Sequence, residues 1–321
     1  MAEPANGARI ELRGVGVTYP GGAAAVRDVD LTIAAGEFTV LLGPSGSGKS
    51  TLLRTINRLI EPTAGEVLID GVDARTLDPV ELRRGIGYAI QAVGLFAHLT
   101  IAGNVGVVPS LLGWERARIA ARVDALLTLV GLDPRVYRER YPRQLSGGEQ
   151  QRAGVARALA AQPRALLMDE PFGAVDAIVR ASLQDEIRRI QRELGTTIVF
   201  VTHDVDEALR LADRIVVMNA GKIVQADTPL HLLARPATDY VDRLMDARDA
   251  VRRLQLIAVR DAMSAPNGAA TQGSIDGAST LREALSAFVE GAERLSVVDD
   301  GSAVGTISFD DVRRAVARTA G

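Results

Sequence analysis

The stretch Phe38-Thr39-Val40-Leu41-Leu42-Gly43-Pro44-Ser45-Gly46-Ser47-Gly48-Lys49-Ser50-Thr51 decides the fold. Its first five residues have the length and apolar character of a buried strand. The next eight match G-x-x-x-x-G-K-[ST] in full. A helix over Ser50 to Leu59 is expected to follow. Strand, glycine-rich loop and helix together make an anion site. The glycines let backbone N–H groups converge on phosphate, and the helix directs its positive end at it. Gly43, Pro44, Ser45, Gly46, Ser47, Gly48, Lys49, Ser50 and Thr51 are therefore expected to cradle a nucleotide. Lys49 supplies a cation near the terminal phosphates, and the Ser50 hydroxyl can bind Mg²⁺.

Outward from this loop, apolar strands and helices alternate. Ile10 and Leu12, then Leu31 and Ile33 after a Gly21-Gly22 turn, read as short β segments. Val123, Leu126, Leu127 and Val130 recur at helical spacing within Ile119 to Val130. Strands at Ala165 to Met168 and Ile198 to Val201 flank a helix over Ile178 to Leu194. This alternation predicts an α/β fold with a mostly parallel, covered sheet.

The 321 residues suggest about two domains. Hydrophobic residues make up 47% and charged residues 24%, the balance of a soluble globular protein. The net charge of −3 gives no basic footprint for nucleic acid. With no cysteine, thiolate metal sites and disulfides are excluded. No signal-peptide core and no run of about 18 apolar residues is present, so a cytoplasmic location is expected.

Asp169 and Glu170 close the strand Ala165 to Met168. Acidic residues after strands are common. Beside a phosphate loop, however, Asp169 is placed to hold the Mg²⁺ assembly, and Glu170 to orient or deprotonate an attacking water. Ser146-Gly147-Gly148 at a helix start forms a second nest of backbone N–H groups.

Leu145-Ser146-Gly147-Gly148-Glu149-Gln150-Gln151-Arg152 resembles the signature of ABC-type ATPases. The resemblance runs over about residues 9 to 240 and implies a P-loop NTPase of the ABC type. That fold has a mixed sheet core, a β subdomain and a helical subdomain at about 92–145. It implies that ATP is sandwiched between the phosphate loop of one subunit and the Ser146 nest, with Glu149, of another. Tyr19 matches the aromatic that stacks on adenine; the alternative is a strand tyrosine in the core. Gln91 matches the glutamine that touches Mg²⁺ and water. Asp176, in Phe172-Gly173-Ala174-Val175-Asp176, matches the acid that crosses the dimer interface, with Val175 where leucine is usual. His203 matches the switch histidine that contacts the γ-phosphate. The implied catalytic set is Glu170, His203 and Lys49. The implied metal set is Ser50, Gln91 and Asp169.

Further stretches resemble ATPases of importers for glycine betaine, carnitine, choline or proline. They include Ile56 to Thr63, Gly87 to Gln91, Leu111 to Trp114 and Tyr141 to Leu145. The resemblance implies a second ATPase subunit, membrane permease subunits docking near residues 91–114, and an extracytoplasmic solute-binding protein. Ala92 to Phe96 offer apolar surface for that docking, or alternatively ordinary core. An importer ATPase for another solute fits the same chemistry. A non-transport ABC ATPase predicts coiled-coil insertions, tandem cassettes or a basic patch, and the sequence has none.

Domain boundaries are expected at 8–242 for the ATPase, 243–278 for a linker and 279–318 for a small α+β tail. Ser279 to Val316 in this tail resembles one CBS module, with Gly305-Thr306-Ile307-Ser308-Phe309-Asp310-Asp311 near that module's usual ending. Ser308 and Asp311 are its candidate nucleotide contacts. The alternative is a small dimerising or vestigial module.

Overall fold

The structure, a computed structural model, describes residues 7–90, 94–173, 177–246, 249–266 and 270–318. Contacts divide the chain into two compact units, residues 1–226 and 227–321.

The first unit is built from β1 (Ile10–Thr18), β2 (Ala24–Ile33), β3 (Phe38–Leu42), α1 (Lys49–Ile56), β4 (Ala64–Ile69) and β5 (Val72–Asp73). Then come α2 (Pro79–Gly85), β6 (Ile86–Ala89), α3 (Ile101–Leu111), α4 (Arg116–Leu129), α5 (Pro134–Tyr137) and α6 (Gly147–Leu159). It ends with β7 (Ala165–Asp169), α7 (Ala177–Leu194), β8 (Thr197–Thr202), α8 (Val205–Leu211), β9 (Arg214–Asn219) and β10 (Lys222–Asp227).

Two sheets organise these elements. The larger runs β10-β9-β3-β8-β7-β6, with β6, β7, β8, β3 and β9 parallel. Strands β3, β7 and β8 are buried along their whole length, as parallel strands covered on both faces must be. Their C-terminal ends lie side by side, Leu42 opposite Thr202 and Asp169 opposite Val201. This register gathers the loops after β3, β7 and β8 at one edge, where open parallel sheets place their ligands. The smaller sheet, β2-β1-β4-β5, is antiparallel. Its alternating residues, such as Ile10, Leu12, Leu31 and Ile33, join Leu52, Leu53 and Ile56 of α1 in one core. Helices α3 to α5 follow β6 and precede α6.

The second unit contains α9 (Pro229–Ala234), α10 (Asp239–Met245), α11 (Ala250–Leu254), α12 (Val259–Ala262), β11 (Ser274–Asp276), α13 (Leu281–Val289), β12 (Arg294–Asp299), β13 (Ser302–Ser308) and α14 (Phe309–Arg318). The stretch 243–278 reads as a linker in sequence, yet its described residues are folded. Leu254, Ile257 and Val259 enter the core beside Leu281, Leu295 and Ile307. Ile275 of β11 pairs in parallel with Val297 of β12. The charged, Arg-rich run 246–260 and the small residues from Ser264 to Gly277 hide these anchors from a reading of composition. Asp311 is buried at the start of α14. It accepts from Ser264 Oγ at 2.7 Å and from Ser308 N and Oγ at 2.9 and 2.6 Å, and it pairs with Arg314. These bonds tie the start of α14 to Ser264 and Ser308 within the unit.

Candidate active site

The loop between β3 and α1 closes around its own lysine. The Lys49 ammonium donates to the carbonyls of Gly43 at 2.7 Å and Pro44 at 2.9 Å. Burial pulls the Lys49 pKa below its ordinary value, and the nearby Glu170 and Asp169 carboxylates oppose that shift. Gly48 caps α1 in a left-handed conformation, φ +99°. A Cβ there would stand 2.4 Å from the Ala25 carbonyl oxygen, so only glycine fits.

The carboxylate pair comes from the end of β7. Asp169 is buried and accepts from Ser50 Oγ at 2.6 Å and from Arg54 Nη2 at 3.2 Å. Glu170 follows in a left-handed conformation, φ +47°, with its N–H donated to the Val201 carbonyl of β8. Such a backbone is strained in a non-glycine residue, and sites of chemistry are where that strain is commonly held. His203, just after β8, brings Nδ1 to 3.3 Å from Glu170 Oε1. Ser45, Gly46, Gly48, Lys49, Ser50, Thr51, Glu170 and His203 line one open cavity of about 320 Å³. Tyr19 is 41% exposed, and its hydroxyl lies 3.1 Å from Thr51 Oγ1. Its exposure fits a stacking role better than a core one.

The residues present fit a nucleotide with its metal. The cavity joins a buried cation, a hydroxyl and the Glu170 carboxylate, with Asp169 behind Ser50, in the donor set that phosphate and a hard divalent cation require. The Ser47 hydroxyl is buried without a hydrogen-bond partner, a polar atom left over inside the phosphate loop. Ser50 and Asp169 are already in contact. Gln91 and Asp176 lie outside the described residues.

The Ser146 nest does not line this cavity. Ser146 caps α6, its Oγ accepting from Glu149 N at 3.3 Å. Glu149 accepts from Ser146 N at 2.7 Å and from Tyr137 Oη at 2.6 Å. These bonds, Tyr137 first, hold the Glu149 carboxyl below its ordinary pKa. A Cβ on Gly147 or Gly148 would meet nothing within 4 Å, so the nest opens outward.

Two residues escaped the sequence reading. Arg54 joins Asp169 to Tyr88 Oη at 3.3 Å, and Tyr88 belongs to the strand that leads to Gln91. Its signal is a lone cation one turn after the lysine of the loop. Glu207 is buried and accepts from Thr202 Oγ1, next to His203 in the chain, at 2.7 Å. Its signal, Asp204-x-x-Glu207, is the spacing of an ordinary helix cap.

The chain matches the family model described as ABC transporter over residues 26–173. The glycine betaine uptake system ATP-binding protein of Escherichia coli K12 is 51% identical over 90% of this chain and 94% of its own. The glycine betaine/carnitine/choline transport ATP-binding protein of Bacillus subtilis is 52% identical over 77% of this chain and 66% of its own. A solved ATP-binding cassette, dimeric and bound to ADP and Pi, is 35% identical with a TM-score of 0.63. That match covers 68% of this chain and 98% of the other. With the phosphate loop, Glu170 and His203 meeting at one cavity in an ABC-type P-loop NTPase fold, the chain belongs to the ATP-binding proteins of ABC transporters, ATPases whose hydrolysis is coupled to transport.

Proposed function

We propose that this ATPase powers uptake of a compatible solute: a quaternary amine such as glycine betaine, carnitine or choline, or proline. The observation that carries the reading is the cavity shared by the phosphate loop, Glu170 and His203, in a chain half identical to a glycine betaine uptake protein over nearly all its length. An importer for another small solute is the second reading. It is favoured by a sulfate/thiosulfate import relative from Nocardia farcinica, 49% identical over 69% of this chain.

Lys49 exchanges its two loop carbonyls for the terminal phosphates. Ser50 and Asp169, with Gln91, would hold Mg²⁺, which neutralises phosphate charge when bound. Glu170 orients and deprotonates the attacking water, and His203 faces the γ-phosphate. The Ser146 nest, turned away from this cavity, serves the loop of a second copy. Tyr19 stacks on adenine, and Asp176 crosses between the copies.

The permease partner docks on the groove of about 420 Å³ lined by Tyr88, Ile90, Phe96, Val107, Val108 and Leu111. Phe96 and Leu111 are 45% and 59% exposed, an apolar surface suited to an amphipathic helix. Among the described residues no helix is long and apolar enough to cross a membrane. In this reading the chain works from the cytoplasmic face through that partner. An extracytoplasmic solute-binding protein completes the importer. We read the tail from 279 to 318 as a single CBS-like module, small and either dimerising or vestigial.

Uptake of labelled betaine at high osmolarity, in a deletion strain lacking redundant importers, tests the solute. Loss restored by the gene supports the proposal, and unchanged uptake rejects it.

A further inference from the structure

We propose that Glu207 is a positioning residue for His203, fixing the turn that carries the histidine and tying it to helix α7. The proposal rests on the reading of His203 as the group that meets the terminal phosphate.

His203 is poorly held by its own side chain. The ring is 63% exposed, and its described contact is Glu170 at 3.3 Å. Its place is therefore set by the backbone on either side, Thr202 before it and Asp204 after it. One hydroxyl controls both. Thr202 Oγ1 donates to Glu207 Oε2 at 2.7 Å and accepts from the Asp204 N–H at 3.0 Å. A hydroxyl has a single proton. Committing it to Glu207 turns the lone pairs toward Asp204, and the turn around His203 is locked.

The spacing Asp204-x-x-Glu207 ordinarily makes a closed helix cap, in which the glutamate reaches back to the cap residue's N–H. Here the Asp204 N–H is taken by Thr202, and the Glu207 side chain is diverted inward. It is buried, 8% exposed, and burial pushes its carboxyl upward. Its second oxygen accepts from Gln184 Nε2 at 3.3 Å and lies 3.9 Å from Arg180 Nε. Both residues belong to α7. A helix cap needs no buried carboxylate, and simple core packing would favour an apolar side chain. The arrangement makes sense as a strut from α7 to the histidine turn.

The test is single-turnover ATP hydrolysis by the full chain, with equilibrium ATP binding measured in parallel. Glu207→Ala should slow the chemical step about ten- to a hundredfold, as misplacement of a reacting group does, and leave ATP affinity unchanged. Glu207→Gln keeps an acceptor for Thr202 and should recover most of the rate. In a His203→Ala background, Glu207→Ala should slow hydrolysis no further, because both changes remove one interaction. Effects that multiply in the double variant overturn the proposal. A His203→Ala variant as fast as wild type overturns the underlying reading as well, so the two failures are told apart. Should Glu207→Ala not fold, Thr202→Val deletes the same hydroxyl link and completes the same cycle with His203→Ala.

Discussion

Replacing Gly48 by alanine should destabilise the free protein through two separable effects. The residue holds φ +99°, and a left-handed conformation of this kind costs a non-glycine residue about 1–3 kcal/mol. The added Cβ would also lie 2.4 Å from the Ala25 carbonyl oxygen and 3.4 Å from the Gly221 Cα. Ala25 is part of β2, so its carbonyl cannot swing aside, and overpacking of this kind adds about 1–3 kcal/mol. The sum is about 2–6 kcal/mol. Gly46 is the control: its φ is +79°, yet a Cβ there meets nothing within 4 Å. Gly46→Ala should bear the conformational cost alone. A domain of this size loses about 2–4 °C per kcal/mol. Calorimetry without nucleotide should therefore place Gly48→Ala at least about 4 °C below wild type, with Gly46→Ala between them. Equal melting temperatures for the two variants, or the reverse order, would refute the steric reasoning.

Glu170→Gln should keep ATP affinity and lower turnover by orders of magnitude, and ATP should drive this variant into a dimer visible by light scattering. Normal turnover removes Glu170 as the base, and a strictly monomeric ATP complex counts against a shared site. Because burial depresses the Lys49 pKa, the ammonium loses its proton below the ordinary lysine value of about 10.4. ATP affinity in a pH titration should therefore start to fall before a free lysine would titrate, and an affinity flat up to that value contradicts it. Burial pushes the Asp311 carboxyl up, but bonds from Ser308 and Ser264 and the charge of Arg314 outweigh it and leave the pKa lowered. The stability this group contributes is present above its unfolded value, about 3.9, and is lost as pH falls through the folded value. Asp311→Asn should lose about 1–3 kcal/mol at pH 7 in urea unfolding and show less acid sensitivity, and an unchanged profile would disprove the assignment. Leu111→Asp, on the rim of the apolar groove, should abolish solute uptake while the isolated chain still hydrolyses ATP. Normal uptake would move the docking surface elsewhere.

The sequence makes the nucleotide chemistry plain because loops after buried strands carry it in unbroken motifs. Phe38–Leu42, Ala165–Asp169 and Thr197–Thr202 are short apolar runs, and the reactive residues stand directly after them. The cross-chain links were not legible. Arg54 meets Asp169 across 115 positions, and no local pattern marks such a pair. Glu207 was hidden differently: its spacing fits a cap so well that only the direction of its side chain shows another task. The stretch 243–278 misled because its small, polar composition outweighs three apolar anchors, Leu254, Ile257 and Val259. Gln91 and Asp176 rest on the motif alone, since both lie outside the described residues.

The cap on α6 has a consequence for how fast two chains could join. Glu149 is bound at both oxygens, by Ser146 and by Tyr137, before any partner arrives. The first turn of that helix is thus frozen during folding, and its rotational freedom is already spent. In the proposed shared site, an incoming anion would meet a finished receptor and need not wait for one to assemble. Association would then be governed by diffusion and charge, and little entropy would remain to be lost at the moment of contact.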